Sequence, residues 1–201
     1  MPPPTITVHG TKLSGHTHRV ELLLGMLGLG YRFSAAPAAV RTSPEFRALN
    51  LLGQIPVLED GDLILPDSNA ILVYLAKRYD AGGTWLPEEP VAAARVQRWL
   101  SIAAGEVMHG PATARMITRW ALQADLAQAH EIAARLFRFM DDHLAARAWL
   151  AAGTPTIADL ACYSYVSAAP EGGIPLAPYP AIQAWLERVE ALPYFKPMPV
   201  S

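Results

Sequence analysis

Cysteine is nearly missing from these 201 residues: Cys162 stands alone. A single thiol cannot close an internal disulfide, and it excludes a zinc centre built from several cysteines of one chain. Set in "ADLACYSYV", it reads as a small buried apolar residue. Charge of one sign is also lacking. The formal net charge is −2, with neither the basic excess that tracks a phosphate backbone nor an acidic tail, so nucleic acid is not an expected partner. No apolar run approaches the roughly 20 residues that span a bilayer, and the start, MPPPTITVHG, lacks the charged region and apolar stretch of a signal peptide. These absences lead to the expectation of no membrane attachment and a cytoplasmic address.

What the chain does have is apolar surface to bury. Hydrophobic residues make up 52% of it, ample for a packed core at this length. Its 18 prolines are scattered among periodic segments, where they punctuate helices and loops.

The first ~80 residues alternate strand and helix signals. Thr5 to His9 carries Ile6 and Val8 at period two. A loop follows, then Val20, Leu23, Leu24 and Leu27 at helical spacing, ended by Gly28 and Gly30. Tyr31, Phe33 and Ala35 alternate as a second strand. After the polar segment "RTSPEFRALN", "IPVLEDGDLILPDSNAILVYLAKRY" predicts a strand, an Asp60-Gly61 turn, a strand, and a helix starting near Ser68. The order is βαβ followed by ββα. From about Glu88 strand signals vanish and helical periodicity takes over. One helix opens at Asp125 and sets Leu126, Ala129, Ala133, Leu136, Met140 and Leu144 along one stripe. The expected organisation is an α/β domain over 1–80, a Gly- and Pro-rich linker over 81–87 in "DAGGTWLPEEP", and an all-helical domain over 88–201.

Three local features suggest chemistry. In "KLSGHTHRVELLL" a polar run stops abruptly at an apolar helix, so its residues could be a helix cap, a hydroxyl donor, or, through His16 and His18, metal ligands. No third ligand at suitable spacing stands out, so no metal is expected. In "GQIPVLEDG", Pro56 adjoins a strand. It cannot donate to a ladder and should mark a strand start or an exposed edge, as an ordinary trans proline or as a cis bond holding Ile55 where an extended peptide could pair with it. In "LPDSNAILVYL", Asp67 and Ser68 can cap a helix, and the helix's first N–H groups favour an anion.

Taken together, "LSGHTHRV", "NLLGQIPVL", "LPDSNAILVYL", the "WLP" linker and a helical second half containing "TIADL" resemble the glutathione transferase family, in its serine-type bacterial form. The likeness covers nearly the whole chain in the right order. It implies a thioredoxin-like N-terminal domain, an all-α helical-bundle C-terminal domain, and assembly as a homodimer. It also implies glutathione as co-substrate: a cis Pro56 with the Ile55 backbone pairing to the cysteinyl part, Asp67 (where the family usually has Glu) and Ser68 at the γ-glutamyl end, and Gln54 near the glycyl carboxylate. Ser14, with Thr17 as runner-up, falls where many members place the hydroxyl that stabilises the thiolate. The segment "WLSIAAGEVMHG" resembles the cleft-lining helix. Glu106 falls where some members reach glutathione on the neighbouring subunit, and Met108, His109, Arg115, Trp120 and Tyr163 are candidates for the electrophile site. His16 and His18 are expected as exposed neighbours of the cleft. Thr156 and Asp159 have the spacing of a capping box, with Asp in place of Glu, a structural role.

The activity implied is attack of bound glutathione thiolate on a hydrophobic electrophile. Glutathione-dependent disulfide or peroxide reduction, or isomerisation, would use the same site, and a noncatalytic binding or assembly module is the alternative from another class. The missing Cys-x-x-Cys pair at the first helix tip rules out dithiol cycling by the protein itself.

Overall fold

A computed structural model describes residues 6–199. Its residues form two compact units: one runs to residue 82 and takes in the stretch from 193, the other is Gly83–Leu192.

The first unit is built on a four-stranded mixed sheet in the order β2-β1-β3-β4. Strand β1 (Thr7–Gly10) pairs parallel with β2 (Arg32–Ala35) and antiparallel with β3 (Val57–Asp60), which pairs antiparallel with β4 (Leu63–Pro66). Thr5, where the expected first strand began, lies outside the described residues. Ile6 and Val8 are both buried. Between β1 and β2 runs helix α1 (Gly15–Met26), the crossover that a parallel pair requires. It ends as its glycine suggested. Gly28 sits at φ +66, its N–H donates to Gly25 O and that of Leu29 to Leu24 O, the two bonds of a Schellman cap.

Of two short helices, α2 (Ala38–Arg41) ends at the start of the segment read from sequence only as polar, and α3 (Pro44–Leu49) lies within it. For α3 the signal was present: Ser43 caps Phe46 N, Pro44 opens the helix and Glu45 lies in its first turn. Phe46 is buried with Ala36 and Val57. Helix α4 (Ser68–Tyr79) follows β4.

The stretch from Pro193 joins this first unit, although the sequence placed it in the helical block 88–201. His18 explains part of that. It is buried in α1, and its Nε2 lies 2.8 Å from Lys196 O.

The second unit is helical: α5 (Pro90–Ile102), a π-helical stretch (Ala103–Ala112), α6 (Thr113–Trp120), α7 (Leu126–Leu144), α8 (Ile157–Ser167), a short 3₁₀ turn (Ala169–Gly172) and α9 (Pro180–Glu190). Glu89 caps α5 by accepting from Val91 N and Ala92 N. Pro111 within the π-helical stretch has no N–H to give to the turn before it. On α7 the expected stripe is buried from Ala129 to Leu144, joined by Phe137, while Leu126 at the helix start is exposed. Helix α8 is buried on every side from Ile157 to Val166, Cys162 included.

Asp159 organises that core. As the acidic member of the capping box, it accepts from Thr156 N (2.9 Å) and Thr156 Oγ1 (3.2 Å) on one oxygen. The other accepts from Leu150 N and Trp185 Nε1 (both 3.0 Å). One carboxylate thereby fastens the start of α8, the segment before it and the indole of α9. Asp159→Ala should destabilise the protein by at least about 3 kcal/mol, since it strands several buried donors, and Asp159→Asn should recover part of this by keeping one acceptor. Urea denaturation of the two variants would measure it.

Candidate functional site

The pairing register gathers the N-terminal candidates at one end of the sheet. His9 is opposite Val57, and Val57 is opposite Pro66. The residues just beyond these three positions are therefore neighbours: the loop from β1 to Ser14, the Ile55-Pro56 peptide entering β3, and Asp67-Ser68 leaving β4. Pro56 precedes a central strand rather than lying on an edge, and the Ile55-Pro56 bond is cis.

Ser14 is the N-cap of α1. Its backbone is extended and its Oγ accepts from Thr17 N at 3.3 Å. Because the hydroxyl serves the helix as an acceptor, its proton can still be donated elsewhere. Thr17, by contrast, is wholly buried with its side chain against Gly10. A Cβ on Gly10 would stand 2.4 Å from Thr17 Oγ1, so only glycine lets helix and strand approach this closely.

Asp67 caps α4 by accepting from Ala70 N at 2.8 Å. It does so at φ 76 and ψ 119, a backbone that an L-residue rarely adopts and that costs on the order of 1–3 kcal/mol. Such strain persists where the surroundings over-determine it, commonly around functional groups. The residue itself is exposed, while Ser68 beside it is buried. Gln54 is also exposed, and its carbonyl accepts from Asn50 Nδ2 at 2.9 Å.

Arg19, His16 and Asn69 complete this corner, and of these the sequence pointed only to His16, as a possible metal ligand or an exposed neighbour of the cleft. Arg19, buried in α1, donates from Nη1 to Asn69 Oδ1 (3.0 Å) and to Ser68 Oγ (3.3 Å). His16 Nδ1 lies 3.3 Å from the same Ser68 Oγ. An arginine next to the apolar run of α1 was the one available signal for Arg19. For Asn69 there was none, and nothing showed that His16 would meet Ser68, because the contacts join positions about 50 residues apart.

The expectation of exposed histidines is corrected here. His18 is buried and His16 half-buried, and their ring nitrogens engage different partners. Among the described residues no group of three or more His, Cys, Asp or Glu could hold a metal ion. Desolvation, with a smaller push from the Arg19 guanidinium, lowers His16 to about 3, and burial lowers His18 as well.

The helical candidates divide. Glu106 and His109 are exposed on the π-helical stretch, and Met108 is half-buried, its carbonyl accepting from Thr113 Oγ1 at 2.8 Å. Trp120 is half-exposed, with the guanidinium carbons of Arg115 and Arg119 each 5.2 Å from its ring centre. Arg115 and Tyr163 belong to the packing of the unit instead. Arg115 is buried and bonds Glu171 at 2.9 Å. Tyr163 is buried against Trp185 with its hydroxyl donated to Glu190 at 2.8 Å. Both side chains are largely withdrawn from solvent.

The lowered histidines set a pH dependence. An unfolded imidazole titrates near ~6.5. Below that value the unfolded chain takes up protons that the folded chain refuses, so stability should fall with pH, for His16 by up to about 1.4 kcal/mol per pH unit until about pH 3. Urea midpoints from pH 7 to pH 4 should show this decline, and His16→Gln should make it shallower.

Known proteins match this architecture at both ends. The family described as "Glutathione S-transferase, N-terminal domain" matches residues 8–85, and "Glutathione S-transferase, C-terminal domain" matches residues 108–193. Glutathione S-transferase 3 of Zea mays is 32% identical over 205 residues, covering 95% of this chain and 91% of that protein. A glutathione S-transferase structure from Pseudomonas fluorescens superposes with a TM-score of 0.90 at 33% identity, over 96% of this chain and 98% of that one. A glutathione transferase homolog from Drosophila mojavensis, solved with bound glutathione, gives 0.86 at 26% identity, over 95% and 90%. A sheet with its strand-entry cis proline, capped helices around it and a helical second unit, matched along both sequences and both folds, lead to one assignment: the chain belongs to the glutathione S-transferase family.

Proposed function

We propose that the first unit binds glutathione in an extended form and lowers the pKa of its thiol, so that the thiolate attacks a hydrophobic electrophile. The observation that carries this is the register His9–Val57–Pro66, which brings a helix-capping hydroxyl, a strand-entry peptide and the helix-capping Asp67 with Ser68 to one end of the sheet. The Drosophila mojavensis relative, which holds glutathione, supports the choice of ligand.

Each end of the tripeptide then has matching chemistry. The Ile55 backbone pairs with the cysteinyl unit as an added strand would. Asp67, exposed and using one oxygen as a cap, offers the other to the ammonium. Ser68 and the N-terminus of α4 take the neighbouring carboxylate. Gln54 reaches the glycyl carboxylate. Ser14 donates to the sulfur. A free thiol has a pKa near ~8.5, and a two-unit decrease requires roughly 2.7 kcal/mol of preference for the anion. One charge-assisted hydrogen bond together with the positive end of α1 supplies that amount. Thr17 is the weaker candidate because it is wholly buried against Gly10.

The family's usual arrangement supports a homodimer, with exposed Glu106 reaching glutathione on the neighbouring subunit, and a cytoplasmic setting. No helix among the described residues is long and apolar enough to cross a membrane. Met108, His109 and Trp120 are the helical residues whose exposure suits contact with an electrophile.

Removing the donor isolates the chemistry. Ser14→Ala should raise the pKa of bound thiol by one to two units and lower kcat/KM for an aromatic halide about 10- to 100-fold near neutral pH, while glutathione affinity changes little. Thiolate absorbance against pH and steady-state kinetics measure the two effects. An unchanged thiol pKa would remove Ser14 from the mechanism. The same wild-type protein, assayed on an aromatic halide, a mixed disulfide and a maleyl-type substrate, distinguishes conjugation from reduction and isomerisation; activity confined to the last two would overturn conjugation.

A further inference from the structure

Ser68 Oγ receives a hydrogen bond from Arg19 Nη1 and lies 3.3 Å from His16 Nδ1. A hydroxyl has one proton and two lone pairs, and a neutral imidazole carries one proton, on either nitrogen. Two arrangements satisfy the contact. With the ring proton on Nε2, Nδ1 is an acceptor and takes the Ser68 proton, which is then used within the protein. With the ring proton on Nδ1, the imidazole donates to Ser68 Oγ. Arg19 and His16 then occupy both lone pairs, and the Ser68 proton is available to a third group. A hydroxyl that accepts two hydrogen bonds is also a stronger donor.

Resting on the glutathione reading above, we propose that His16 is a positioning residue whose tautomer decides whether Ser68 gives its proton to the imidazole or to the carboxylate of the γ-glutamyl group. Binding of that carboxylate selects the Nδ1–H form. The ring loses a proton at Nε2 and gains one at Nδ1 by exchange with water, so the charge of the site does not change. The environment suits such a switch. The imidazole stays neutral throughout the physiological range, so it carries a single ring proton and no imidazolium competes with the ligand's ammonium for Asp67. His16 also stands two residues after Ser14 in the first turn of α1, which makes it a direct link between the helix tip at the sulfur and the helix tip at the γ-glutamyl end.

The test uses the whole protein with histidine labelled in ¹⁵N and S-methylglutathione, which keeps the carboxylate but cannot react. The expected result is a change of the His16 ring from Nε2–H to Nδ1–H on saturation, and no change with an analogue that lacks the γ-glutamyl carboxylate. His16→Ala should weaken binding of S-methylglutathione about tenfold without affecting the decarboxylated analogue. His16→Asn, whose amide N–H can stand in for Nδ1–H, should restore most of the affinity. The same tautomer in the free and saturated protein would overturn the inference, as would an equal loss for both analogues in His16→Ala. Wild-type protein that fails to bind S-methylglutathione would overturn the glutathione reading and this inference together, whereas normal binding without a tautomer change removes only the role of His16.

Discussion

A guanidinium taken out of water must be matched by acceptors held in fixed places, and in this chain that requirement joins two helices. Arg19 lies within α1 and finds Asn69 Oδ1 and Ser68 Oγ at the start of α4. Burying the charge is tolerable only while those acceptors stay in place. The first turn of one helix is therefore fixed relative to the first turn of another, and with it the separation between a capping hydroxyl at Ser14 and a capping carboxylate at Asp67. The sheet register brings these loops to the same end, and the arginine holds them there.

The parts of the fold carried by periodicity were readable. Ile6 and Val8 alternate as a strand should, the α7 stripe is buried from Ala129 onward, and Gly28 ends α1 with the hydrogen bonds its position suggested. Local chemistry was readable too: Ser14, Asp67, Thr156 and Asp125 all cap the helices that their side chains implied. What the sequence hid is what depends on meeting a distant residue. His16 read as an exposed neighbour of a cleft because nothing local shows that Ser68 will be beside it. His18 likewise depends on a carbonyl 178 residues away.

The same limit accounts for the helical candidates that moved into the core. Arg115 and Tyr163 have the polar groups expected of a binding site, yet Glu171 and Glu190 already engage them within the unit. Polar atoms in a helix-rich sequence are as easily used to close a core as to meet a ligand, and only the identity of the distant partner separates these uses. Asp159 shows the structural use most fully, with both of its oxygens engaged by groups from three segments.

Asp67 has a further consequence. Its backbone sits at φ 76, and the chain's own cap, Asp67 accepting from Ala70 N, holds it there. On the glutathione reading proposed above, the ligand's ammonium would meet a carboxylate that the fold itself aims, with no reordering of the entry to α4. This is preorganisation in the thermodynamic sense: part of the free energy of folding is converted into affinity. On the same reading, recognition is tied to global stability, because any change that lets the start of α4 relax would release the strain and reduce affinity without touching a single contact atom.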